Sequence, residues 1–235
     1  MDKKALQLNS RFSLPPNSLG YCGKDSAPEK FKSCVINEKC GGVEEELRHF
    51  IVLHPYLRTI SKITHLPKFS HRVVESYWLG NDLTRKAKGG DYNILLSFFG
   101  KQGVPKWLID ELKGKRPKKF IPTHLFQVLH VGVGRASGSV PYNLETINNC
   151  MIRWGEVKKI TGSKAKVKLN SLKKVKGVFQ ITQKNEVFPF IPGFVPDIKV
   201  GDIVTVHWKQ INKILTEEET EKISYWTKEV LKAIN

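Results

Sequence analysis

A thiol and an imidazole frame the stretch of this chain best suited to chemistry. Cys150 opens Cys150-Met151-Ile152-Arg153-Trp154-Gly155-Glu156-Val157, and His207 closes Val200-Gly201-Asp202-Ile203-Val204-Thr205-Val206-His207. A thiolate is a soft metal ligand and imidazole also suits iron, so the pair can hold a transition metal if the fold unites them. Cys22 is an accessory candidate. It lies between Gly20 and Gly23, after Leu14-Pro15-Pro16. Glycine permits positive φ, and the two prolines predict extended or turn backbone there. Cys22 is expected near Cys150, sharing a metal or exchanging disulfides. Its sequence neighbours offer no base to lower its pKa, so it is not read as catalytic.

Other reactive residue types are less organised. No CxxC pair occurs among Cys22, Cys34, Cys40 and Cys150, so a zinc ribbon is not supported. With no secretory signal read at Met1–Asn9, a cytoplasmic location without disulfides is expected. Six histidines precede Cys150: His49, His54, His65, His71, His124 and His130. His49 and His54 are five apart and do not share a helix face, and no HExxH occurs, so these six read as structural. The glycine-rich Gly132–Gly138 follows the apolar run Leu125–Val131, which reads as a strand and then a loop. Neither GxGxxG nor a following GKS or GKT is present, so the loop is read as a flexible connection over a site rather than a phosphate cradle. No acid–base pair stands out to define an enzyme in the first part.

The formal net charge is +17. It is spread over both parts, +10 up to Ile147 and +7 beyond, and carried by 31 Lys against 8 Arg. Bidentate phosphate and base contacts favour Arg, so lysine-rich composition explains the charge as well as a binding face does. The densest basic block, Lys113–Lys119, contains Pro117 and reads as a solvated loop. A basic nucleic-acid-binding module remains the alternative function, beside an uncharacterised enzyme in the first part. No run approaches the roughly 18 apolar residues that would span a bilayer, so no membrane partner is expected.

The elements that must position these groups fall into two sets. Residues 1–147 carry helical periodicity: Pro28–Lys39, Val43–Leu53, Leu57 towards Pro67, a longer helix capped by Ser70, Tyr92–Phe99 and Pro105–Leu112. They predict a mainly α-helical domain of unknown function. Residues 148–235 switch to alternation. Met151–Ile160 pairs through Thr161-Gly162-Ser163 with Ala165–Leu169, then Val175–Ile181 and Ile203–Trp208 follow. Five or so short strands predict a small OB-like β-barrel. A final helix follows, with Thr216 and Glu219 as a capping box. The expected class is α+β.

The second part resembles the HypC/HupF family of hydrogenase maturation chaperones. That family has a Cys followed after three residues by Pro-Gly-x-Val, a Val-Gly-Asp-x-Val-x-Val-His strand and a Leu-x-Glu-Glu-Glu helix. Here stand Cys150, Trp154-Gly155-Glu156-Val157, Val200 to His207, and Leu215-Thr216-Glu217-Glu218-Glu219. Two positions depart: Trp154 replaces the proline, and Cys150 is internal rather than N-terminal. The resemblance implies a non-enzymatic metallochaperone. Its cargo would be an iron bearing cyanide and carbon monoxide, Fe(CN)2CO, held by Cys150 with His207 nearby. The implied partners are HypD and the large subunit of nickel–iron hydrogenase.

Overall fold

The computed structural model describes residues 2–235. Helix α1 (Lys3–Ser18) begins at Asp2, whose carboxylate accepts from the Ala5 N–H. It contains Pro15 and Pro16, so the expected extended segment there is helical instead. Both prolines sit in its last turn. Proline's φ is already helical, but each one forfeits the hydrogen bond to the carbonyl four residues back and its ring crowds that carbonyl.

Helices α2 (Pro28–Ile36), α3 (Val43–Arg48), α4 (Leu53–Thr64), α5 (His71–Trp78), α6 (Tyr92–Gln102) and α7 (Lys106–Gly114) lie on the apolar stripes read in the sequence, but the helix expected over Val43–Leu53 is divided between α3 and α4, and the one after Ser70 stops at Trp78. Pro55 falls in the first turn of α4, where its missing N–H has no intrahelical partner to lose. Ser70 stands at the α5 N-cap but its side chain makes no capping bond. Between α2 and α3, Cys34 and Cys40 form a disulfide, with Cα atoms 4.3 Å apart. The expectation of free thiols is corrected there: the loop after α2 folds back and packs Cys40 against its last turn.

The run Leu125–Val131 is a second correction. It is not a strand. Helix α8 (His124–Phe126) passes directly into a π-helix over Gln127–Gly132. Helix α9 (Leu144–Cys150) then leads into the sheet. Strands β1 (Arg153–Thr161), β2 (Lys164–Val175), β3 (Val178–Pro189), β4 (Ile203–His207) and β5 (Gln210–Ile214) form one antiparallel sheet in the order β3-β2-β1-β4-β5. The ladders do not close it. One isolated parallel bridge, Phe190 to Ile211, joins the two edges. Gly155 is required where β1 meets β2, because a Cβ there would lie 2.1 Å from the Lys168 carbonyl oxygen.

Helix α10 (Glu217–Ile234) starts in the capping box expected at Thr216 and Glu219. Its Trp226 packs onto Gly80, where φ is +79° and a Cβ would come within 2.1 Å of the indole. A single apolar core runs from Ala5 through Tyr77, Cys150 and Trp208 to Leu231, so it continues across residue 147. A smaller cluster, including Val157, Leu169 and Val206, fills the sheet's inner face.

Candidate metal centre

Two short links bring Cys150 and His207 together. Cys150 ends α9, and His207 ends β4. The hairpin from β4 to β5 turns on Trp208 and Lys209, both with positive φ, 47° and 62°. Two-residue hairpins favour that conformation, yet it is normally taken by Asn or Gly and costs bulkier residues energy. The Trp208 N–H donates to the Asn149 carbonyl oxygen at 2.7 Å. The residue before the thiol is thereby tied to the residue after the imidazole. Cys150 Sγ and one nitrogen each of His207 and His124 all lie within 4.8 Å of one another, and all three residues are buried.

The protonation of His207 follows from helix α1. Residue 16 would ordinarily donate its N–H to the Phe12 carbonyl, but Pro16 has none. The freed Phe12 oxygen sits 2.7 Å from His207 Nδ1. A carbonyl only accepts, so Nδ1 carries the proton. Burial holds the His207 pKa well below its usual value, so the ring is neutral. Nε2 therefore keeps a bare lone pair. It is buried and has no hydrogen-bond partner.

His124 is differently committed. Its Nε2 lies 2.7 Å from the Cys150 carbonyl oxygen and 3.8 Å from Cys150 Sγ. Burial pushes its pKa down to about 4, so it is neutral with its proton on Nε2, shared between that oxygen and the sulfur. Nδ1 is then the acceptor for the Tyr77 hydroxyl at 2.9 Å, and that hydroxyl also lies 3.2 Å from Gln127 Oε1. Both nitrogens of His124 are in use. It positions the Cys150 backbone and donates towards the sulfur, while Cys150 and His207 hold the free ligand atoms.

The thiol rests protonated. Burial raises the Cys150 pKa well above the ordinary value, nearby Cys22 raises it further, and the Trp208 indole N–H opposes them. Its place at the C-terminal end of α9 also disfavours an anion and favours a cation. These are poor conditions for a nucleophilic thiolate, which lowered-pKa sites create with helix N-termini or cationic neighbours. They are conditions in which a bound cation stabilises the thiolate and displaces its proton.

Cys22 lies at the mouth of the same cavity. Solvent reaches the residue, while the surrounding protein pushes its thiol up to about 12. Asn17 Nδ2 pins the loop by donating to the Cys22 and Lys24 carbonyls at 2.7 and 2.9 Å. Gly23 has φ +79° and lies so close to the Phe50 ring that a Cβ would meet it at 2.5 Å. The Tyr21 ring packs 4.6 Å from that of Trp208, fixing this loop over the site. The glycine-rich stretch expected to lie over a site also contributes, with Gly132, Val133, Gly134 and Ala136 in the wall. The cavity holds about 70 Å³. That is room for on the order of five water-sized groups, enough for an ion with small ligands.

Of the three residues singled out in the sequence, the structure brings Cys150 and His207 into one cluster and places Cys22 on the wall of the same cavity, outside that cluster. Four others carried no signal in the sequence that tied them to the site: His124, Tyr77, Phe12 and Pro16. His124 stood among scattered histidines before an apolar run, and no spacing tied it to Cys150. The remaining early histidines are elsewhere. His54 bonds Gln102 Oε1 at 3.1 Å and His130 bonds the Tyr92 hydroxyl at 2.9 Å.

Fold and site together define an α+β protein with a buried thiol–imidazole cluster reached through a small cavity. The chain belongs to DUF6390, a family of unknown function that matches residues 1–235. No curated protein and no solved structure matches it. No helix among the described residues is long and apolar enough to cross a membrane.

Proposed function

We propose that this protein binds a transition-metal ion or small metal complex through Cys150 Sγ and His207 Nε2, and serves as a carrier or assembly factor rather than an enzyme. The observation that carries this reading is the buried, unpartnered Nε2 lone pair converging on a free thiol. Leaving such an acceptor unsatisfied costs about 1–3 kcal/mol, and a bound metal removes that cost. Thiolate with imidazole suits iron, copper(I) or zinc. Cys22 supplies a third donor at the mouth, placed to take part in loading or release. Among cargoes, iron carrying carbon monoxide and cyanide fits the chemistry: the ligands are small and the walls largely apolar. That cargo, a HypD-like partner and delivery to a hydrogenase large subunit rest on the resemblance of residues 148–235. The Phe190–Ile211 bridge supports reading the sheet as an incompletely closed OB-like barrel.

Anaerobic titration with Co(II) tests the ligand set. A thiolate-to-cobalt absorption band at one equivalent is expected, lost in Cys150→Ser and weakened at least tenfold in His207→Gln. Wild-type protein that develops no such band sinks the metal reading. Infrared spectra of protein co-produced with hydrogenase maturation factors test the cargo separately: absence of iron-bound CO and cyanide bands removes the iron fragment while leaving the ligand assignment standing.

A further inference from the structure

A second and larger cavity, about 490 Å³, is walled in part by the π-helix and the glycine-rich loop. Gly132 lines both cavities. Its wall carries five cations, Lys115, Arg116, Lys118, Arg135 and Lys232, against one acidic side chain, Glu111. A main-chain carboxylate at Asn235, where the sequence ends, would still leave an excess of three. The cations come from three separate segments: the loop after α7, the glycine-rich loop and the end of α10.

Their pairing is unequal. Glu111 accepts from both Arg135 and Lys115, and Lys232 pairs with Glu229 at 2.9 Å. Arg116 bonds only the neutral Asn93 side chain, at 2.6 Å. Lys118 has no hydrogen bond or ion pair among the described residues. Gathering like charges in one concavity costs repulsion, which an anion relieves. The size falls within the range of small-ligand sites. Aromatic surface lies alongside. Tyr142 lines the cavity and is 46% exposed, and Trp107 is 56% exposed with the Arg135 guanidinium 5.3 Å from its ring centre.

We infer that this cavity binds a phosphorylated small molecule, with Arg116 and Lys118 as the phosphate ligands and Tyr142 as a stacking surface for a nucleoside base. The basic block Lys113–Lys119, which reads in the sequence as a solvated loop, thereby gains a role. Arg supplies the forked donor geometry that phosphate oxygens match, and Lys a mobile point charge. The site is independent of the thiol cavity and stands whether or not a metal binds there.

Calorimetric titration of the full-length protein with ADP, pyrophosphate and adenosine is the test, at low and at roughly physiological ionic strength, where screening acts over about 8 Å. ADP is expected to bind with one-to-one stoichiometry and to weaken as salt rises. The Arg116→Ala/Lys118→Ala double variant alters only loop positions and is expected to weaken ADP at least tenfold with an unchanged circular dichroism spectrum. Cys150→Ser is expected to bind ADP as the wild type does. Pyrophosphate equal to ADP supports the phosphate site and removes the base contact. Adenosine binding as well as ADP, or no binding of ADP and pyrophosphate, overturns the proposal. A single-stranded oligonucleotide that binds far more tightly than ADP and displaces it also overturns it, in favour of a nucleic-acid surface.

Discussion

The dependence of the thiol site on a missing N–H gives a quantitative test. His207 is 1% exposed, and its Nδ1–H is the donor to Phe12 that Pro16 cannot be. His207→Ala removes that donor and leaves the Phe12 carbonyl unpaired, at about 1–3 kcal/mol. It also opens a void among the rings of Phe12, Trp78 and His124, whose centres lie 5.3–6.5 Å from that of His207. A total loss of about 3 kcal/mol is expected. Pro16→Ala restores a helical N–H aimed at the same oxygen. In the wild type that N–H adds a second bond to an acceptor already served. In the His207→Ala background it repairs an orphan. Pro16→Ala should therefore be more favourable in the variant background than in the wild type, by about 1 kcal/mol. Urea unfolding of the four proteins measures the coupling, read from midpoints at constant slope. Additivity within about 0.3 kcal/mol would refute the hydrogen-bond exchange. Because it shares the oxygen that orients His207, Pro16→Ala alone should also weaken Co(II) binding by about tenfold, the scale of supporting-shell effects.

Acid should destabilise the fold through its neutral histidines. His124 and His130 are both pushed down to about 4 by burial, so the unfolded chain binds more protons between pH 6.5 and 4. The stability they contribute is complete above the unfolded value and falls with pH through this window, by up to about 1.4 kcal/mol per pH unit for each ring. Urea midpoints measured from pH 7.5 to 4.5 should show it, and a flat profile contradicts the burial argument. Gly80→Ala should cost more than about 2 kcal/mol, since it combines a positive φ with a Cβ driven into Trp226, and its Trp fluorescence should shift as α10 loosens. Arg153 is 3% exposed and pairs with Glu186 at 3.4 Å over the Phe188 ring. Glu186→Gln should cost about 1 kcal/mol, more than Arg153→Met, because the first strands a buried charge and the second replaces it with apolar contact.

What could be read from the sequence was what is local. The β1–β2 hairpin at Thr161–Ser163 and the Thr216 cap each depend on neighbours within a few residues, and they formed where expected; the helical stripes of the first part marked helices whose ends they did not fix, as where Val43–Leu53 splits into α3 and α4. The choice of Cys150 and His207 rested on their positions in the motifs of the resemblance, supported by ligand chemistry. The failures have separate causes. A proline pair reads as a helix breaker unless its freed carbonyl finds another donor, and here the donor lies 195 residues away. A π-helix has no periodic signature that separates it from a buried strand in a seven-residue apolar run. The Cys34–Cys40 pairing required knowing that the loop after α2 folds back.

The same long-range links bear on whether residues 148–235 can act alone, as the resemblance to a small chaperone implies. The site draws on four segments: Phe12 with Pro16, Tyr77, His124, and the Cys150–Trp208 stretch. Two of the hydrogen bonds that fix its protonation cross between the helical part and the sheet part, Phe12 to His207 and His124 to Cys150. Trp154, Trp208 and Trp226 are each at most 8% exposed and belong to the core shared with the helices. Freeing them exposes large apolar surfaces, each costing about 1.5–3 kcal/mol. A fragment of residues 148–235 is therefore expected to lack a fixed His207 tautomer and to expose its core. It should show dispersed binding of a hydrophobic dye, a non-cooperative urea transition and no stoichiometric Co(II) band. A fragment that unfolds cooperatively and binds one Co(II) through Cys150 would mean that the helical segment is an addition to a self-sufficient centre, rather than part of how that centre is made.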